Sequence, residues 1–137
     1  LFRSLLLYYN FFVRDGSFTL KSEEEIVIEQ KMFLQQLQAM DSYYVNEHII
    51  NLLLEVRGNL RTEKQEMLSA IDRFLSLSPD EKLLFTIGRR LNIFFLLDDL
   101  KKPELHKKAE ESLKNILGKS PDVDFVALCN YIRQSQI

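Results

Sequence analysis

"SPDEKLLFTIGRRLNIFFLLDDL", residues 78–100, decides how this chain is read. It opens on Ser78, Pro79 and Glu81, a helix-start signal. The serine side chain can accept from the amide three residues on, while the glutamate reaches back to the serine amide. Pro79 then stands at the first helical position, where its missing N–H costs nothing. Beyond Glu81 the stretch is apolar on nearly every face, through Leu83, Leu84, Phe85, Ile87, Leu91, Ile93, Phe94, Phe95, Leu96 and Leu97. A helix apolar all round is either a membrane span or the buried centre of a bundle. Arg89 and Arg90 interrupt the run, and Ile93 to Leu97 is far shorter than the ~20 residues a bilayer requires. The expectation is a buried helix over 79–99, centred on Leu91. A smaller alternative is that Ile93, Phe94 and Phe95 are covered by a partner.

Outside this stretch the punctuation is helical throughout. Ser22 with Glu25 and Thr62 with Gln65 repeat the capping pattern, and Ser120 with Pro121 repeats the proline start. Gly58 and Gly118 stand where helix stops are expected, and Pro103 separates two further segments. These marks divide the chain into about seven helices, near 1–14, 23–40, 43–57, 63–77, 79–99, 103–117 and 121–135. Periodicity supports them. Met67, Leu68, Ile71, Phe74 and Leu75 form one stripe, and Ile26, Phe33, Leu34, Leu37 and Met40 a second. Leu105, Ala109, Leu113 and Ile116 form a third, with Lys107/Glu111 and Glu110/Lys114 spaced as solvent-facing pairs. "RDGSFTL", residues 14–20, is the one expected non-helical link. Short connections imply antiparallel neighbours. The fold class is therefore all-α, an irregular bundle or short stack of about seven antiparallel helices, in a single domain over 1–137.

Composition narrows the function classes. The chain is 46% hydrophobic and 28% charged, the balance of a folded domain and not of a disordered one. A formal net charge of -2 gives no broad attraction to nucleic acid or anionic lipid. Arg89, Arg90, Lys101, Lys102, Lys107 and Lys108 form a local basic cluster, read as a solvated face because no recognition-helix signature accompanies it. Cys129 is the one cysteine, so no internal disulfide or thiolate metal cluster is available, and an intracellular compartment, cytoplasmic or nuclear, is expected. The opening "LFRSLLLYYNFFV" is too short to span a bilayer and lacks a signal-peptide pattern. The first residue is Leu1, not Met, which is compatible with a segment of a longer protein.

The inventory for catalysis is poor. His48 and His106 fall on separate expected helices, and the spacing His106/Glu110 fits a solvated face better than a two-ligand metal site. Cys129 lies on an apolar stripe with Phe125 and Ile132, the setting of an inert buried thiol. Asp98 and Asp99 stand at an expected helix end, where acids oppose the dipole; that mismatch suggests capping or a basic partner. No Gly-rich phosphate loop is present. Neither a metal nor a cofactor is expected, and the chain is read as no enzyme.

"LSAIDRFLSLSPDEKLLFTIGRRLNIFF" followed by "PELHKKAEESLKNIL" resembles the helical N-terminal domain of elongation factor TFIIS and the related integrase-binding domain of LEDGF. The residues that carry the resemblance are Leu68, Ala70, Ile71, Phe74 and Leu77, then Leu83, Leu84, Ile87, Gly88, Arg89, Leu91 and Asn92, then Leu105, Ala109 and Leu113. It covers residues 68–117. The resemblance implies a non-catalytic module that receives short disordered peptides on the loops joining its helices. The matching loops are 58–62 and 99–102. On that reading Leu60 and Leu100 are apolar anchors, Arg61 and Asp99 flank them, and Lys101 and Lys102 attract acidic peptides. The competing reading of Leu60 and Leu100 is that both tuck into the core.

The leading expectation is a protein–protein interaction module that docks a peptide or partner helix. The alternative is a helical regulatory or effector domain that dimerises or binds a small apolar ligand, in a pocket expected to be lined by Phe94, Phe95, Leu84 and Tyr43. The expected partner is another protein or peptide, with no nucleic acid and no membrane, and a homodimer compatible with either reading.

Overall fold

The computed structural model describes residues 19–45 and 51–135. The expected helix over 1–14, most of the 14–20 link and His48 lie outside the described residues. The described residues are mostly helical, which gives an all-α class. They comprise α1 (Glu23–Gln36), a short ribbon of β1 (Tyr43–Tyr44) and β2 (Gly58–Asn59), α2 (Lys64–Leu75), α3 (Pro79–Arg90), a 3-10 turn (Leu97–Lys101), α4 (Pro103–Lys119) and α5 (Phe125–Ser135). Among the described residues there are five α-helices, against about seven expected over the whole chain. Among the described residues no helix is long and apolar enough to cross a membrane.

Two of the expected starts form as read. Ser22 Oγ accepts from Glu25 N while Glu25 reaches back to Ser22 N at 2.7 Å. Ser78 and Glu81 close the same box ahead of α3, with Pro79 at its first position. Two do not. Thr62 gives no cap; Glu63 takes that place and bends back to accept from Asn59 N at 2.6 Å. Gly58 sits at φ +153 beneath it, and a Cβ there would stand 2.9 Å from Glu63 Cβ. Near Pro121 the chain turns first, and Asp124 caps α5 by accepting from Val126 N and Ala127 N at 3.0 and 3.1 Å.

Among the described residues of the span, 43–45 and 51–57, the expected helix over 43–57 does not form. Tyr43 and Tyr44 pair antiparallel with Asn59 and Gly58, and Ser42 O accepts from Leu60 N at 2.9 Å instead of opening a helix. Leu52, Leu53 and Val56 are buried at a spacing that imitates a helical stripe, yet they lie on an irregular stretch. Tertiary burial has overridden local pattern there.

The central helix also ends early. α3 stops at Arg90 because Asn92 turns left-handed, at φ 57. Ile93 N then donates to Gly88 O at 2.7 Å and Asn92 N to Arg89 O at 3.2 Å, the paired bonds of a Schellman cap. The chain folds back so that Phe94 lies against Gly88 and stacks on Phe85, ring centroids 6.0 Å apart; Phe85 meets Phe74 at 5.9 Å. All three rings are buried. The span about Leu91 is thus interior only in part. Ile93, Phe94 and Leu97 are buried, whereas Leu91, Phe95 and Leu96 face solvent at 39%, 51% and 48% exposure. Arg89 lies 5.8 Å from the centroid of the Phe95 ring.

Helix α1 runs antiparallel to α2, tied by Lys31–Asp72 at 2.6 Å and by Lys64 Nζ, which donates to Leu37 O. Its N-terminus abuts the flank of α3, where two side chains two turns apart receive it. Lys82 pairs with Glu24, and Arg90 grips Glu23 with two bonds of 2.7 Å. Arg133 of α5 completes the cluster, with Nη1 3.5 Å from Glu23 and Nη2 donating to Lys21 O at 3.0 Å and to Asn130 Oδ1. Arg89 and Arg90 are therefore interior groups, and the basic cluster expected from the sequence loses both from its surface.

Two consequences are measurable. Gly88→Ala drives a methyl to 2.3 Å from Phe94 Cδ2, so it should lower stability by about 1–3 kcal/mol in urea unfolding. Glu23→Ala leaves Arg90 buried without its carboxylate and should cost about 3–5 kcal/mol in the same assay.

Candidate functional site

At the turn between α2 and α3 an open pocket of about 310 Å³ coincides with one of the two loops singled out from the sequence. Each wall has a local cause. The Ser78–Glu81 box turns the chain sharply after α2, which leaves Arg73, Ser76 and Leu77 on one side and Glu81 on the other. The 3-10 turn brings up Leu97, Leu100 and Lys101, and His106 closes the pocket from the first turns of α4. Its floor is leucine and its rim is charged.

The 3-10 turn is held by Asp99. Its carboxylate is nearly buried and accepts from Phe95 N at 2.8 Å and Leu96 N at 2.9 Å, while the other oxygen meets Lys102 Nζ at 2.7 Å. Glu55 Oε1 adds a bond from Leu97 N at 2.9 Å. Burial pushes the Asp99 carboxyl upward, but the amides of Leu96 and Phe95 and the Lys102 ammonium outweigh it and leave the group below its ordinary value. Of the acid pair expected at a helix end, Asp99 therefore caps the start of the 3-10 turn. Asp98 is its exposed counterpart, bridging Lys101 at 2.7 Å and Arg73 at 2.6 Å; those two cations hold its carboxyl below the usual range.

These pairs alter the expected electrostatics. Lys101 and Lys102 each face an aspartate three residues earlier, so the rim carries alternating charge and not a basic field. His106 Nδ1 lies 3.0 Å from Leu100 O, which fixes it as the donor; Nε2 then points towards Glu110 at 3.7 Å. Both side chains are substantially exposed, a solvated arrangement. Lys107 and Glu111 lie 4.0 Å apart, as their spacing suggested.

The structure places the sequence-derived site residues unequally. Leu100 is half-buried and lines the pocket with exposed Lys101, whereas buried Asp99 and exposed Lys102 do not line it. Leu60 is 5% exposed and belongs to the core, so it offers no surface anchor. Arg61 is exposed, its amide bonded to Asn59 Oδ1 at 2.8 Å. Leu60 precedes α2, whereas the pocket lies at its far end, so about 18 Å of helix separates the two loops. Sequence reasoning missed Arg73, Glu81 and Leu97. A signal was present in the pairing of Arg73 with the conspicuous Asp98, but only the reversal of the chain after Arg90 brings them together.

The pocket expected from Phe94, Phe95, Leu84 and Tyr43 does not form. Phe94 and Leu84 are packed in the core, and Phe95 and Tyr43 are more than half exposed. Cys129 is buried; desolvation, and then the nearby Glu23, pushes its thiol up to about 11. Among the described residues no three His, Cys, Asp or Glu side chains are grouped to hold a metal. No family model, curated protein or solved structure matches the chain.

The Asp99 geometry sets a pH dependence. A carboxyl lowered in the folded state stabilises above its unfolded value and loses that effect as pH falls through the folded value. Wild type should therefore exceed Asp99→Ala by about 1–2 kcal/mol at pH 7, as for a lost cap. The gap should narrow below pH 3.8, the ordinary aspartate value, in urea unfolding followed by circular dichroism.

Proposed function

We propose that the chain is a non-catalytic interaction module, and that the pocket at Leu100 receives one apolar side chain of a short peptide. The observation that carries this reading is the composition of that pocket: Leu77, Leu97 and Leu100 below, Arg73, Glu81, Lys101 and His106 around the edge. An apolar floor with a polar rim is how peptide anchors are bound, since burial supplies affinity and the rim selects what flanks the anchor. The cations at the edge already have acidic neighbours, so a peptide with an apolar anchor between residues of mixed charge suits the site better than an acidic one. A thiol held up to about 11 is protonated at neutral pH, which makes Cys129 a poor nucleophile and favours a binding role.

The test is selection of peptides from a random displayed library, followed by amide shift mapping on the labelled chain. Bound peptides should share a central Leu, Met or Phe and move the signals of Leu77, Leu97, Leu100 and His106. Leu100→Glu should weaken them by about tenfold or more, about 1.4 kcal/mol, in protein that circular dichroism shows to be folded. Shifts confined to another face, or an unchanged affinity in the variant, would overturn the reading.

A further inference from the structure

A second pocket, of about 290 Å³, opens on the other side of the α2–α3 turn, between α3, α5 and the first residues of α1. Its walls are Phe74, Leu83, Thr86, Phe125, Val126 and Cys129. We infer that this pocket is a binding site for a small uncharged aromatic molecule of about two fused rings carrying one hydrogen-bonding group. This goes beyond the peptide-docking reading and does not rest on it.

Size sets the first limit. An apolar cavity of roughly 150 Å³ accepts benzene, so a space about twice as large fits two rings. Electrostatics sets the second. Every charged group at the edge already has a partner. Glu23 is gripped by Arg90 and approached by Arg133, and Lys82 is paired with Glu24 at the mouth. A charged ligand would have to break one of these pairs or be desolvated beside an apolar wall, and both are costly. The Cys129 thiol, neutral at physiological pH, adds no charge of its own. Ser22 Oγ is taken up by the cap of α1. Thr86 and Cys129 remain as the weakly polar side chains on the walls, enough to orient a single hydroxyl or ring nitrogen.

The probe is 2-naphthol, titrated into the 137-residue chain and followed by isothermal titration calorimetry, a readout that a tryptophan in a variant does not disturb. Saturable one-site binding is expected, at least about tenfold tighter than for 2-naphthalenesulfonate, which has the same rings and a fixed charge. Bound naphthol should also slow modification of Cys129 by methyl methanethiosulfonate by about tenfold or more, because reagent access runs through the same space. Val126 stands half-exposed at the mouth, so Val126→Trp should keep the fold and abolish binding, while Leu100→Glu should leave it unchanged. Cys129 protection is read on the unaltered chain, so the inference stays testable even where the tryptophan variant fails to fold. Absence of saturable binding, equal affinity for the sulfonate, no protection of Cys129, or undiminished binding in a folded Val126→Trp protein would each overturn it.

Discussion

The arrangement of this molecule depends on one buried carboxylate. Glu23 begins α1, Arg90 ends α3 and Arg133 closes α5, and the three side chains meet with almost no solvent access. A carboxylate and a guanidinium removed from water lose several kcal/mol of hydration each, and only good geometry with further hydrogen bonds offsets this. Arg90 supplies that geometry with two parallel bonds to Glu23. Arg133 is held partly by neutral oxygens, the carbonyl of Lys21 and the amide of Asn130. The placement of Glu23 at the first position of α1 adds the favourable field of the helix N-terminus. An apolar cluster could hold three helices with comparable energy but with less exact register. Here any sliding of α1 or α5 along α3 strands a charge.

Much of the class was legible in the sequence, and the reasons are local. Ser22/Glu25 and Ser78/Pro79/Glu81 announce helices because a cap needs only residues within one turn. The stripe Met67, Ile71 and Phe74 reads correctly because α2 buries one face. The failures have separate causes. Leu52, Leu53 and Val56 repeat at helical spacing, but the carbonyl of Ser42 is taken by Leu60, a partner eighteen residues on that no local pattern announces. The stop at Arg90 was written in the sequence as Asn92, one of the few residues other than glycine that tolerates a left-handed turn. It was masked by the continuous apolar run around it.

That early stop also made half of the candidate site unreadable. A helix over 79–99 would carry Asp98 and Asp99 at its far end, some 30 Å from its start by helical rise. The actual chain reverses at Asn92 and returns, so Asp98 reaches Arg73 and Leu97 lies near Glu81. The reversal needs Gly88, since Phe94 occupies the space a Cβ would take. One glycine and one asparagine thus convert a would-be rod into a fold with a pocket. Asp99, recognisable from sequence as an acid in the wrong place, is explained by the same event: with the helix gone, it caps the turn that replaces it.

Both pockets share one wall. Arg73, Leu77 and Glu81 face one side of the α2–α3 turn, and Phe74, Leu83 and Thr86 face the other. That wall is stiff for two reasons: reciprocal bonds between Ser78 and Glu81 close the turn, and Phe74 packs at a tilt against Phe85, which in turn stacks on Phe94. A stiff wall means that neither pocket has to be assembled at the moment of binding, so little ordering entropy opposes a ligand. It also limits how far occupancy of one pocket can be felt in the other. Coupling between sites requires an element with two discrete arrangements, and the turn is over-determined by its cap and its rings.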